Sequence, residues 1–250
     1  MAEQIGENNK TKDADMIFLS EINTQKNELK EFFLKEINTK EKDNEKYDIL
    51  YPIATDETLG RASCTICLKK NGLKNYTNEG NGFNIDEDYL HFCKIVSRND
   101  KEVIVLIGIH WAVGYDEYVL RTAEFILSLK RLLTFTLGQK IKVILFGDTN
   151  SNPDVNLEKA VKEKKTARIE AYLNNSIFEQ LMNELGLHEI IPEGKPYTYE
   201  KGTRTDRVET RVDRVFTNMP KDKVKAEVVS EFLEKELSDH AALVITYEEG

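Results

Sequence analysis

Five polar signatures in this chain stand at or beside short apolar runs: Glu21, His110, Asp148 with Asn150, Asp213, and the pair Asp239-His240. Any one alone reads as a turn former or a cap. Five together point to chemistry. Carboxylates and an amide are the ligands a hard divalent cation takes, and histidine adds a group that moves protons near neutral pH. No cysteine joins the set, which argues against a structural zinc site.

The densest of these signatures is Gly147-Asp148-Thr149-Asn150-Ser151-Asn152-Pro153. It follows Val143 to Phe146, a run too short for a helix and rich in β-branched and aromatic residues, as a buried strand would be. If the backbone stays extended past Gly147, Asp148 and Asn150 point the same way. An acid and an amide at the mouth of an α/β sheet are placed where ligands are held. The plainer alternative is a strand followed by an Asx-type turn.

Short strands and helices must position these groups. Strands are expected at Asp15 to Glu21, Tyr47 to Pro52, Ala62 to Lys69, Leu90 to Val96, Val103 to Ile109, Leu187 to Ile191, Val212 to Thr217 and Ala241 to Tyr247. Helical spacing marks Asn27 to Ile37, Tyr118 to Leu137 and Ile177 to Leu185, the last stopped by Gly186. Val119, Ala123, Ile126 and Leu127 would form the apolar side of the second helix. Lys40 to Lys46 and Asn71 to Asn84 read as loops, and Asn156 to Ile169 as an exposed, partly helical stretch. Alternating strands and helices make the class α/β. No Pro/Gly-rich linker divides the chain, so a polar leader over residues 1–15 is followed by a single domain over 16–250.

Composition sets the outer bounds. The chain has 250 residues, 40% of them apolar and 32% charged, with a net charge of −9. Such a chain folds as a globular protein. Its acidity counts against binding nucleic acid by nonspecific electrostatics alone. It is compatible with an acidic cleft that takes up divalent cations before it meets a phosphate. No apolar run is long enough to cross a bilayer and no secretory signal is visible, so an intracellular place, cytoplasmic or nuclear, is expected. Three cysteines fit a reducing compartment. Cys64 and Cys67 form a C-x-x-C without partner ligands and read as small strand residues on opposite faces. Oligomeric state is left open.

The order and content of the motifs resemble the endonuclease/exonuclease/phosphatase superfamily of metal-dependent phosphoesterases, from apurinic endonucleases and deoxyribonucleases to retrotransposon-type endonucleases. Leu19-Ser20-Glu21 looks like its strand-end glutamate and Ile109-His110-Trp111 like its histidine segment. Gly147-Asp148-Thr149-Asn150 looks like its G-D-x-N signature, Arg211-Val212-Asp213-Arg214-Val215-Phe216 like its R-x-D strand, and Ser238-Asp239-His240 like its S-D-H terminus. The resemblance implies a four-layer sandwich, two packed mixed β-sheets flanked by helices. It also implies roles. Glu21 would be the main Mg2+ ligand (Mn2+ could substitute), with Asp239 close to the metal. Asp148 would align or deprotonate the attacking water and Asn150 would hold a phosphate oxygen. His240 would contact the scissile phosphate, Asp213 would orient the His240 ring, and His110 would be a second phosphate-contacting or proton-donating histidine. In one respect the chain departs from the pattern. Twenty residues precede Glu21, and before Met16 they contain no apolar strand, so the family's first strand is expected to be absent.

Some assignments have competitors. Asp206 shares an R-x-D-R-V frame with Asp213, but only Asp213 leads into an apolar strand. His110 has a less favoured alternative as a hydrogen-bonded structural histidine. His91 and His188 fit no motif and are expected to be structural, and Trp111 is expected to pack. Arg204, Arg207, Arg211 and Arg214 form a positive strip that is either a solvated face or a grip on a phosphate backbone, with Arg211 and Arg214 as the substrate-binding candidates. The leading expectation is Mg2+-dependent hydrolysis of phosphodiester bonds in DNA or RNA. The alternatives are a phosphoesterase on lipid head groups or small phosphorylated metabolites, and a binding module of the same fold without turnover.

Overall fold

Strand after strand here is built on β-branched residues, and the hydrogen-bonded ladders follow that pattern. A computed structural model describes residues 11, 14–25, 35–38, 47–52, 61–69, 76–78, 90–97, 102–111, 119–120, 122–123, 140–193, 197–201 and 208–248. The side chains of 21–25, 36, 48–52, 61–69, 76–78, 90–97, 102, 140, 201 and 208 lie outside this description. The chain divides into two compact units, Met1–His110 and Trp111–Gly250.

In the first unit, β1 (Met16–Gln25) and β2 (Tyr47–Pro52) both pair antiparallel with β3 (Arg61–Lys69). Asn38 imitates a strand partner for β2: its Oδ1 accepts from Tyr47 N at 2.7 Å and its Nδ2 donates to Tyr47 O at 2.9 Å. A second ladder runs from β4 (Tyr76–Asn78) through β5 (Leu90–Ser97) to β6 (Glu102–His110), again antiparallel. Val103, Ile104, Val105, Ile107 and Ile109 of β6 are all buried. Neighbours in a strand face opposite sides, so both faces of β6 are covered. At Gly108 one cover is the Phe18 ring of β1, which occupies the place a Cβ would need.

In the second unit, β11 (Asp213–Thr217) lies between β7 (Lys140–Asp148) and β8 (His188–Ile190), antiparallel to both. The helix Thr166–Glu184 supplies Phe178, Leu181 and Met182 to the core. Phe178 meets Phe216 of β11 at 5.4 Å and Trp111 edge-on at 5.9 Å between ring centroids. A ribbon of β9 (Tyr199–Lys201) and β10 (Val208–Thr210) and a pair of β12 (Val224–Val229) and β13 (Ala242–Tyr247) complete the unit. A parallel bridge joins Glu193 to Glu227. The class is α/β, with mixed sheets and flanking helices.

Several expectations change. β1 does not end at Glu21; it continues to Gln25 through a register shift between Ser20 and Thr24. The helix expected over Ile177 to Leu185 begins eleven residues earlier, at Thr166. Its buried stripe includes Asn174 and Asn175, which disguise the apolar periodicity. At the start of the helix expected over Tyr118 to Leu137, Val119 and Ala123 are exposed and Thr122 is buried, the reverse of the expected face. The rest of that helix, Asn27 to Leu34, and the leader residues that would show whether a strand precedes β1 fall outside the described residues. β4, β9, β10 and β12 are additional strands.

Candidate active site

Strand register brings two of the acids face to face. Asp213 opens β11 and Asp148 closes β7, and the two are direct partners across the antiparallel pair. Their strands are anchored from below by Val215, Phe216, Ile144 and Leu145, all buried. Val215 and Phe216 face opposite sides of β11, as Ile144 and Leu145 do of β7, so both faces of this pair are covered.

Asp213 then reaches the C-terminal motif. Its Oδ2 lies 2.8 Å from His240 Nδ1. Burial by itself lowers the pKa of His240. The hydrogen bond and charge of Asp213, with the charges of Asp148 and Asp239, outweigh it and raise the pKa from 6.5 to about 9. The ring therefore carries a positive charge at neutral pH. His240 is placed by its own turn, in which the backbone N donates to Ser238 Oγ at 3.0 Å. Tyr199 packs at 4.8 Å from the imidazole, ring centre to ring centre, and pairs with His240 through a backbone bridge. Thr198, fully buried, ties three segments: its Oγ1 accepts from Asp213 N at 2.9 Å, its O accepts from Ala241 N at 2.7 Å, and its N donates to Thr210 O at 2.8 Å.

The turn after β7 is not extended. Asn150 there has φ 44°, and Gly147, still inside β7, has φ 125°. Glycine accepts such values readily, and asparagine is among the few other residues that do. Asn150 N donates to Asp148 Oδ1 at 2.8 Å, so the Asx turn and the functional signature are one object. Asn150 Nδ2 donates to Trp111 O at 2.5 Å, which fixes the amide. Trp111 N in turn donates to Asp148 O at 2.8 Å. Trp111 is buried and packs on Phe178, as expected.

Asp148, Asn150, Asp213, Asp239 and His240 thus meet in the second unit, with Asp239 exposed beside His240. Glu21 and His110 belong to the first unit. Glu21 stands at the irregularity in β1, and bulges of this kind recur next to functional sites. His110 ends β6 and is partly exposed. Asp206, Arg204, Arg207 and the side chains of Cys64 and Cys67 lie outside the described residues.

The two arginines expected to bind substrate are both buried against acidic side chains. Arg214 is 1% exposed, and each of its five N–H groups has an acceptor. Nε and Nη2 fork onto Glu189 at 2.9 and 2.8 Å; Nη1 reaches Asn175 at 2.7 Å and Ser151 at 3.2 Å; Nη2 also reaches Glu179 at 3.3 Å. No donor remains for a phosphate. Arg211, 7% exposed, also pairs with Glu189. Thr198, Tyr199 and Ser151 were the supporting residues that sequence reasoning did not single out. Their only sequence cue is position: one pair just before the basic run, the other residue inside the Gly147 signature.

The donors gathered here are oxygen atoms, the kind Mg2+ and Mn2+ take. Among the described residues, no three His, Cys, Asp or Glu side chains stand together as a complete metal cage.

Neither a family model nor a curated protein matches the chain. Solved structures do. The 3′ phosphatase NExo from Neisseria, bound to product DNA hairpin, matches over 98% of this chain and 92% of its own, with a TM-score of 0.64 and 14% identity. An endonuclease/exonuclease/phosphatase family protein from Leptotrichia buccalis matches over 99% and 91%, with a TM-score of 0.62 and 16% identity. The chain has the endonuclease/exonuclease/phosphatase fold. The endonuclease domain of TRAS1, a telomere-specific non-LTR retrotransposon, shares that fold over 81% of this chain and 80% of its own, with a TM-score of 0.57 and 16% identity. Among the described residues, no helix is long and apolar enough to cross a membrane.

Proposed function

We propose that the chain is a metal-dependent phosphodiesterase whose substrate is nucleic acid. The observation that carries the reading is the Asp213–His240 pair, an imidazole kept charged to about pH 9 beside the Asp148 turn. Phosphodiester hydrolysis adds negative charge to the phosphoryl oxygens in the transition state, and a fixed cation stabilises that charge. His240 supplies the cation and a hydrogen-bond donor on its remaining ring nitrogen. Asp213 holds the ring's orientation and its proton. Asp148 serves as base or aligner for the attacking water, and Asn150 contacts a phosphate oxygen. His110 is kept as a second phosphate-contacting histidine on the resemblance alone. Mg2+, or Mn2+ in its place, would neutralise phosphoryl charge, and Glu21 and Asp239 are kept as its ligands on the resemblance alone.

Nucleic acid is preferred because NExo is described with product DNA and TRAS1 as an endonuclease. A second reading, a lipid or small-metabolite phosphoester, is favoured by two facts. The chain carries a net charge of −9, and the burial of Arg211 and Arg214 removes half of the positive strip. A panel of single-stranded, duplex and abasic DNA, RNA, sphingomyelin and inositol phosphates, assayed with Mg2+ and with EDTA, separates them. Mg2+-dependent cleavage of a nucleic acid is expected. Turnover of the other phosphoesters with every nucleic acid intact would move the assignment to the second reading.

A further inference from the structure

We propose that Arg214 is a positioning residue for the turn carrying Asp148 and Asn150, acting through Ser151. This rests on the phosphodiesterase reading for its catalytic consequence, though not for its structural one. The turn puts Asn150 in the left-handed region, at φ 44°. Its inner side is a chain of hydrogen bonds among buried groups. Thr149 N and Oγ1 both donate to Val212 O, at 2.9 and 2.8 Å. With its hydrogen spent on that carbonyl, Thr149 Oγ1 accepts from Ser151 Oγ at 2.8 Å. Ser151 Oγ in turn accepts from Arg214 Nη1 at 3.2 Å.

Arg214 is the anchor at the end of this chain. It follows Asp213 on β11 and lies opposite Gly147 in the register. Its guanidinium is clamped from β8 by Glu189 and from the helix Thr166–Glu184 by Asn175 and Glu179, and it stacks on Phe216 at 4.8 Å. A planar fork can satisfy these directions together; the point charge of lysine cannot. The buried cation thus connects the two strand ends bearing the acids to a helix and a third strand. Its role is to fix where Asp148 and Asn150 stand.

The test uses Ser151→Ala, which cuts the tie and leaves the Glu189 clamp intact, and Arg214→Lys, which keeps the charge and loses the fork. Backbone amide exchange is read first, because it needs no turnover. Protection of the Asn150 amide should fall by about tenfold in both variants, with β7–β11 amides unchanged. On the substrate identified with wild-type protein, kcat should fall roughly 10- to 100-fold with KM unchanged. Unchanged Asn150 protection overturns the proposal, as does a lowered melting temperature with wild-type kcat. If wild-type protein cleaves nothing while Asn150 protection still falls, the phosphodiesterase reading fails and the positioning of the turn stands.

Discussion

His240 and Asp213 turn a weak base into a lasting cation, and the balance is set by two opposing effects. Burial pushes the imidazole toward neutrality, while Asp213, Asp148 and Asp239 pull it back past neutrality. Asp213→Asn removes the largest favourable partner and leaves the burial. The His240 pKa should then drop from about 9 toward its ordinary 6.5, visible in an NMR titration of the ring Cε1 proton. An unmoved titration would mean that Asp213 does not govern the ring. The same shift links to stability. A histidine whose pKa is higher folded than unfolded stabilises the fold fully below 6.5 and loses that contribution as pH rises through about 9. The melting-temperature gap between wild type and His240→Gln should therefore narrow across that window. At this scale the acids and His240 were legible, because each sits at or beside a short apolar run. Arg214 was not. A buried arginine and a phosphate-gripping one look alike in sequence, and its partners Glu189 and Asn175 are 25 and 39 residues away.

Strands show how packing fixes chemistry. β6 is buried on both faces and admits Phe18 only because residue 108 lacks a side chain. Gly108→Val would force that ring aside and cost about 1–3 kcal/mol, read as a lower urea midpoint with an unchanged slope. Glu189, which receives both Arg211 and Arg214, carries more. Glu189→Ala leaves two buried cations short of their main acceptor and should cost on the order of 3–5 kcal/mol. A loss under roughly 1 kcal/mol, the range of an exposed pair, would show the cluster to be solvated. Most strands were readable because period and β-branching are local signals. The helix Thr166–Glu184 was half hidden because its buried stripe spends Asn175 on Arg214, a contact that pays off only once the chain is folded. The strands β9 and β10 were hidden inside a charged run whose pairing, Val208 with Lys201, is set by the ribbon's register.

The molecule as a whole combines an acidic chain, a fold shared with nucleases and phosphatases, and a half-buried cation made from one histidine. With a net charge of −9, overall charge contributes no attraction for a polyanion, so divalent cations should matter for binding as well as for turnover. Family-level character was visible from the order of five short motifs, each uninformative alone. Substrate was not, because the motifs describe the reacting phosphate and leave out what is attached to it. The most direct test is the initial rate of Mg2+-dependent phosphodiester hydrolysis by wild type and by His240→Ala, both confirmed folded. Wild type should turn over at least one nucleic acid substrate, and the variant should be slower by roughly 100- to 1,000-fold. Equal rates in the two proteins, or no phosphodiester cleaved by folded wild type with Mg2+ or Mn2+, would contradict the assignment.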